Sequence, residues 1–231
     1  MPAYRSSAEA EVREAVVERL RLIRPEARII HEINVSTYGP TRVDVLAVSP
    51  AEIIAVEVKS AKDKLDRLPS QIANMLGCAH HVVAALHEKF LVEVETNKHA
   101  AHYERDGRFY LRNLPENTGI RHPVRAWVFP EKRRAMKSVA EGGFDRLAYW
   151  DQPEFTYEAP LPASALDMLW RDELSNLCGR LGVSSGRRSN MLDLARALRW
   201  HCSGRELTKG ICSALRARRC VEADPEIQEA A

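Results

Sequence analysis

The chain has 231 residues, with 34 Lys and Arg against 32 Asp and Glu, and it is 45% hydrophobic. This composition is typical of a folded globular protein and excludes a disordered chain. A run of about 18 apolar residues is absent, which argues against a membrane-spanning helix, and a net charge of +2 excludes a uniformly basic nucleic-acid binder. The five cysteines have no CxxC spacing, so we expect reduced thiols and a cytoplasmic location.

The N-terminal part of the chain alternates between helical and extended patterns. Apolar residues at helical spacing predict an amphipathic helix over Ala8–Leu22, with Ser6 or Ser7 as its N-cap. Three β-branched runs then predict an antiparallel meander of strands, at Ala27–Val35, Arg42–Val48 and Glu52–Lys59. A second helix is predicted over Pro69–Cys78 and a buried strand over His81–Leu86. This order predicts an α/β domain with a mixed sheet and helices packed against it.

Prolines interrupt the pattern of residues 90–160. There we interpret Val94–Arg105 as a helix, and Phe109–Leu111 and Val124–Val128 as short strands. From Ser164 onward, leucines at helical spacing predict a small all-α module of three helices. The predicted units are a domain of residues 1–160, a helical module of residues 161–220 and a frayed acidic tail of residues 221–231.

One acidic residue and a Glu-x-Lys pair lie on neighbouring predicted strands. Asp44 is in the second strand, and Glu57 and Lys59 share one face of the third because strand side chains alternate. Burying three charges is costly unless they pair with one another or hold a metal. Two carboxylates suit Mg²⁺, and an ammonium beside them can polarise water and stabilise charge on a phosphate. The pattern indicates metal-assisted hydrolysis of a phosphodiester, and a structural salt-bridge cluster is the alternative.

These residues resemble the motif of the PD-(D/E)xK nuclease superfamily. Asp44 matches its Asp, Glu57 its D/E and Lys59 its Lys, while Val43 stands where a Pro is usual. The string EVKSAKDKLDRLPSQIANM resembles a phage and bacterial branch of that superfamily. The resemblance implies a restriction-endonuclease-like mixed sheet flanked by helices, with Mg²⁺ or Mn²⁺ as cofactor and the carbonyl of Val58 in the metal shell.

The same resemblance implies a metal-dependent deoxyribonuclease in phage or bacterial DNA processing, repair or defence. DNA is then the expected partner, and no membrane is expected to bind. The oligomeric state stays open, and a homodimer is possible. The alternative is a catalytically inactive DNA-binding protein that keeps the nuclease fold.

A third carboxylate has two candidate sources. If the first two strands pair so that Val35 faces Thr41, Glu32 faces Asp44, and like charges in that position need a cation between them. Members of the superfamily commonly supply a Glu from the first helix, which makes Glu11 the second candidate, with Glu18 as a fallback.

Basic and polar residues follow the third strand directly. Lys62, Lys64 and Arg67 are predicted to contact phosphates, and Gln71 to orient Lys59 or a phosphate. A mixed-sign solvated turn is the alternative interpretation of the charged residues.

The C-terminal helices resemble the SAP-like helix-extension-helix DNA-binding motif. Arg187 and Arg188 lie in its Ser-Gly-basic-basic loop and are predicted to bind nucleic acid. Residues 161–220 hold eleven Lys and Arg against five Asp and Glu, a net charge of +6, whereas residues 221–231 carry −4 and residues 1–160 are neutral. Positive charge is therefore concentrated in one module, although a bundle that only packs on the first domain remains the alternative.

Overall fold

The computed structural model of this chain describes residues 6–35, 41–131, 147, 149–155, 159–184, 186 and 188–228. In this part of the chain the strands are β1 (Arg28–Asn34), β2 (Arg42–Val48), β3 (Ile53–Lys59), β4 (His81–His87), β5 (Val92–Thr96), β6 (Tyr103–Arg105), β7 (Arg108–Asn113) and β8 (Arg125–Phe129). The helices are α1 (Ser7–Ile23), α2 (Leu68–Leu76), α3 (Arg171–Arg180), α4 (Met191–His201) and α5 (Gly204–Ala217), with short 3₁₀ helices at Glu88–Phe90 and Ala163–Met168.

A five-stranded sheet in the order β1-β2-β3-β4-β8 forms the centre of the fold. Its first three strands are antiparallel, and β3, β4 and β8 are parallel. The parallel pairs are possible because α2 and the chain after β4 provide the crossovers that parallel strands require. The predicted meander, the mixed sheet with flanking helices and the C-terminal all-α segment are confirmed.

Helix α1 covers one face of this sheet. Its N-cap is Ser6, whose Oγ accepts a hydrogen bond from the backbone N–H of Glu9 at 3.2 Å. Val12, Val16 and Leu20 are fully buried against strand residues of this face. Trp127 of β8 and Trp150 stack in the same cluster, with ring centroids 5.0 Å apart.

The opposite face packs against α2 and the C-terminal helices together. A single apolar cluster contains residues of β2, α2, α3, α4 and α5, among them Leu46, Ile72, Leu177, Leu198 and Ile211. The predicted helical module therefore shares a core with the sheet. In the described residues, no helix combines the length and the apolar character needed to cross a membrane. All five cysteines are free thiols.

The prediction of a helix over Val94–Arg105 is wrong. Strands β5, β7 and β6 form a second, three-stranded antiparallel sheet there. Arg105 pairs with Arg108 across a two-residue turn, in which Asp106 and Gly107 have φ of 52° and 74°. Such a turn matches the right-handed twist of the strands, so Asp-Gly specifies a hairpin locally. The strand predicted at Phe109–Leu111 lies within β7, and the one predicted at Val124–Val128 starts one residue before β8 and ends one residue before its end.

The predicted tail is packed where the structure describes it. The N–H of His31 donates to the carbonyl of Glu222 at 2.8 Å, and that of Asp224 donates to the carbonyl of Ile29 at 2.9 Å. Ile30 and Ala223 form an antiparallel bridge between these two bonds. Residues 222–224 therefore cover the outer edge of β1, because an edge strand offers unpaired backbone groups that another segment can bind.

Candidate active site

Strands β2 and β3 separate at the position of the predicted site. Their described pairing runs from Val48 opposite Ile53 to Val45 opposite Val56. Beyond that pair, the N–H of Val58 donates to Oδ2 of Asp44 at 2.7 Å. The aspartate side chain thus occupies the place of a backbone acceptor, which fixes its carboxylate between the two strands.

Glu57 and Lys59 form a buried ion pair on β3. Lys59 Nζ lies 2.5 Å from Glu57 Oε1, and the side chain of Glu57 is only 1% exposed. Gln71, on the first turn of α2, donates from Nε2 to the same oxygen. In the structure Gln71 thus contacts Glu57. That Gln71 orients Lys59 or a phosphate stays a prediction. Glu57 Oε2 is buried and has no hydrogen-bond partner among the described residues.

Burial makes negative charge costly at this position. It raises the pKa of Glu57 to about 7, and repulsion from Asp44 adds to that rise against the opposing effect of Lys59. Burial also raises the pKa of Asp44, although the hydrogen bond from Val58 and the charge of Arg13 oppose it. A cation next to the two carboxylates would reverse both effects, because it favours their charged forms.

Glu32 lies where the predicted strand register puts it. His31 pairs with Val45 and Ile33 pairs with Val43, so Glu32 stands opposite Asp44. The φ of Glu32 is 54°, in the left-handed region that non-glycine residues seldom adopt. Strain of this kind persists only when the surroundings enforce it, and it is frequent at functional sites.

Arg13 is the cation that separates these carboxylates. Its guanidinium is 1% exposed and contacts Glu9 Oε1 at 2.6 Å and Glu32 Oε1 at 2.8 Å through Nη2. Its Nη1 donates to the backbone carbonyl of Asp44 at 3.0 Å. The charged hydrogen bonds of a planar guanidinium hold several acceptors in fixed positions. Arg13 therefore holds the backbone of Asp44, while Val58 holds its carboxylate.

The sequence prediction missed Arg13 and Glu9. Glu11, the predicted helix carboxylate, is exposed and takes no part in these contacts. The fallback candidate Glu18 is also exposed. Glu9 lies seven residues before the buried Val16, which places both on the same helix face. That spacing was the available signal.

The arrangement fits a divalent cation. Four carboxylates and two cations lie in this group, which leaves two negative charges when all are ionised: Glu9, Glu32, Asp44, Glu57, Arg13 and Lys59. Within the described residues there is no ready-made group of three His, Cys, Asp or Glu side chains for a metal. Mg²⁺ needs only one or two carboxylates because it retains waters and binds phosphate oxygens. Asp44 and the unpartnered Glu57 Oε2 meet that requirement, and a role for the Val58 carbonyl stays a prediction.

The basic residues after β3 are exposed. Lys62, Lys64 and Arg67 project from the turn between β3 and α2. Asp63 holds this turn by accepting hydrogen bonds from the N–H and Oγ of Ser60, at 2.8 and 2.7 Å. Lys62, Lys64 and Arg67 follow Lys59 closely in the chain and face solvent, which is compatible with contacts to phosphates.

Of the two arginines predicted to bind nucleic acid in the SAP-like loop, the structure describes one. Arg188 is exposed just before α4. Arg187 lies outside the described residues. Nucleic-acid binding by either residue stays a prediction.

The family model for Bacteriophage P4 protein cII matches residues 3–100, which is less than half of the chain. These residues include α1, β1 to β4 and α2, and hence every side chain of the charged group. No curated protein and no solved structure matches the chain.

Proposed function

We propose that the chain is a metal-dependent deoxyribonuclease that hydrolyses DNA phosphodiester bonds. The observation that carries this proposal is the pair of buried carboxylates Asp44 and Glu57 beside Lys59. Asp44 is fixed by Val58 and Arg13, whereas Glu57 keeps one buried oxygen without a partner among the described residues. An unsatisfied buried carboxylate oxygen costs free energy, so its presence favours a ligand-binding site over a purely structural ion pair.

Asp44, Glu57, Lys59, Gln71 and Arg13 each have a role in this proposal. Asp44 and Glu57 would hold Mg²⁺ or Mn²⁺, and the bound metal supplies Lewis acidity and an activated water. Lys59, now paired with Glu57, can donate to the attacking water or to a phosphate oxygen. Gln71 keeps Glu57 in position, and Arg13 holds Asp44. In this proposal Lys59 stabilises charge where it develops in the transition state, and Gln71 and Arg13 act only through the carboxylates that they hold.

Cleavage assays with two site variants test the proposal. In Mg²⁺ or Mn²⁺ the purified protein is expected to degrade DNA, and Glu57→Gln and Lys59→Met each to lose at least about 100-fold of the rate, because each removes a charge that acts in the transition state. Glu104→Gln and Lys98→Met are matched controls, since both residues are exposed near the small sheet. Calorimetry should also show that Glu57→Gln binds Mn²⁺ more weakly. Wild-type rates in both site variants would overturn the assignment.

The second candidate is a DNA-binding protein that keeps the fold without catalysis. It is favoured by one observation, that Lys59 and Gln71 already occupy Glu57 Oε1. DNA binding that persists in EDTA, together with no cleavage in Mg²⁺ or Mn²⁺, would support this candidate over the nuclease.

A further inference from the structure

A cavity of about 470 Å³ lies beside the outer edge of β1, next to the charged group. It is lined by both strand and C-terminal residues, including His31, Glu32, Asp167, Trp170, Arg219 and Glu222. Glu32 belongs also to the charged group, through its contact with Arg13. The cavity therefore adjoins the charged group at Glu32, whereas Asp44, Glu57 and Lys59 do not line it.

A second concavity, of about 820 Å³, continues from the first. Trp170, Arg218 and Arg219 line both. The second concavity runs between α3 and α5, where its other lining residues are mostly small or polar, and it contains Arg180. The two together form one groove, which we call the Trp170 groove, from Glu32 to Arg180.

The outer part of the Trp170 groove is basic. Arg180, Arg218 and Arg219 line it against one acid, Glu173, which is paired with Arg218. Arg219 is ion-paired with Glu226 at 3.4 Å, but its side chain is 92% exposed, so only a solvent-exposed ion pair has to open before it contacts a ligand. Arginines along a groove suit a chain of phosphates, since the guanidinium matches phosphate geometry.

Trp170 provides a stacking surface at the middle of the groove. It is 59% exposed, although large apolar side chains are usually covered. The guanidinium of Arg218 lies 4.5 Å from its ring centroid, which holds the indole in place. An exposed indole next to arginines suits stacking with an unpaired base.

The inner cavity has unused polar atoms. His31 Nδ1 and Glu222 Oε2 are buried and have no hydrogen-bond partner within the part of the chain that the structure describes. Both residues line the cavity. The edge of a nucleobase carries donors and acceptors that could satisfy both atoms.

We propose that the Trp170 groove binds a single nucleic-acid strand with unpaired bases and guides it to the charged group. The inference rests on the proposed nuclease function and names the form of its substrate. A 470 Å³ cavity has the size of a small-molecule site, so it admits about one nucleotide and excludes a duplex. Phosphates lie along Arg180 and Arg219, one base stacks on Trp170, and the next enters the cavity beside Glu32.

Fluorescence anisotropy in EDTA tests binding without cleavage. The probes are a labelled 12-nucleotide oligothymidylate and a blunt hairpin duplex of equal charge. The single strand is expected to bind at least about tenfold more tightly than the duplex, and Trp170→Ala to weaken it about tenfold by removing one base stack. Trp170→Phe should restore most of the affinity, which loss of fold would not allow. Arg219→Gln should weaken binding and reduce its salt dependence.

Two matched variants locate the effect. Trp200→Ala removes a tryptophan that is 84% exposed and lines neither concavity, and Arg196→Gln removes an exposed arginine of α4. Both are expected to bind the single strand as the wild type does. Equal binding of both probes, or losses in Trp200→Ala as large as in Trp170→Ala, would overturn the proposal.

The outcomes separate this proposal from the nuclease assignment. Metal-dependent cleavage with unchanged single-strand affinity in Trp170→Ala rejects the Trp170 groove alone. Trp170-dependent single-strand binding by a wild-type protein that does not cleave in Mg²⁺ or Mn²⁺ rejects the nuclease assignment alone.

Discussion

Glu57 is a carboxylate in surroundings that favour its neutral form. Its side chain is 1% exposed, it faces the charge of Asp44, and only one of its oxygens is bonded to Lys59 and Gln71. A protein that loses stability at such a position commonly gains function there. The consequence for the metal-free protein is a pH dependence that a single substitution should remove.

We expect Glu57→Gln to stabilise the metal-free protein above pH 7. Burial raises the pKa of Glu57 from 4.5 to about 7, so the folded state holds a proton that the unfolded state loses. The free energy of unfolding therefore falls as pH rises from 4.5 to 7, and this contribution is absent in the variant. Urea unfolding in EDTA should show a variant more stable at pH 8, by on the order of 1 kcal/mol, and little difference at pH 4.5.

The wild-type minus variant difference isolates Glu57 from other titrating groups. Glu104→Gln, at an exposed position, should leave the pH profile unchanged. Parallel profiles for the wild type and Glu57→Gln would contradict the prediction.

The sequence predicted the strand residues of the site but not its helix residues. Asp44, Glu57 and Lys59 lie in short strands whose alternation fixes their faces, and the register that sets Glu32 opposite Asp44 follows from the pairing of Val35 with Thr41. In α1, charged residues surround the apolar stripe on both sides. Which of these charged residues is buried depends on the surface that packs against the helix. The burial of Arg13 is therefore set by tertiary contacts and not by the sequence of the helix.

Helices α3 and α5 pack closely at a glycine of α5. A Cβ built on Gly210 would lie 2.3 Å from Cδ1 of Leu177, a residue of α3 in the shared core. The absence of a side chain at Gly210 allows the two helices to approach. The close approach is a feature of the element pair and is invisible in either helix alone.

Gly210→Ala is expected to destabilise the protein by about 1–3 kcal/mol, because the added methyl must displace Leu177. Gly179→Ala is the matched control, since this α3 glycine has nothing within 4 Å of its Cβ position. An alanine there should be neutral or stabilising by up to about 1 kcal/mol, through its higher helix propensity. Thermal denaturation of the two variants checks both signs, and equal effects would show that the α3–α5 contact is looser than described.

The elements that the sequence predicted wrongly are those whose partners are remote or whose turn was overlooked. Val92–Thr96 alternates charged and apolar residues, a strand pattern, and Asp106-Gly107 is a strong hairpin signal. Both features are local to the sequence and indicate strands. Residues 222–224, in contrast, carry no strand pattern of their own, and they are ordered by the free edge of β1.

The shared core makes the sheet and the C-terminal helices interdependent. Ser164 Oγ donates to the carbonyl of Gly77 at 2.6 Å. Arg28 of β1 donates to the carbonyls of Leu215 and Arg218 at 2.8 and 2.7 Å. These contacts cross the boundary near residue 160 that composition indicated.

We therefore expect a single unfolding transition. In urea, tryptophan fluorescence and far-ultraviolet circular dichroism should give coincident curves, because neither part buries its apolar face without the other. A variant truncated to residues 1–160 should fail to fold, since one face of its sheet would be exposed. Two resolved transitions, or a folded truncated variant, would support independent domains instead.

The cover over β1 also bears on how fast the native state can be reached. The N–H of Ile29 donates to Asp224 Oδ2, a residue 195 positions later in the chain. Closing so long a loop is slow compared with forming the neighbouring hairpin contacts. Intermediates in which β1 and β2 have paired would thus expose an uncovered strand edge to other molecules. Refolding yield should consequently fall as protein concentration rises. The exposure of the β1 edge ends only when residues 222–224 bind to it.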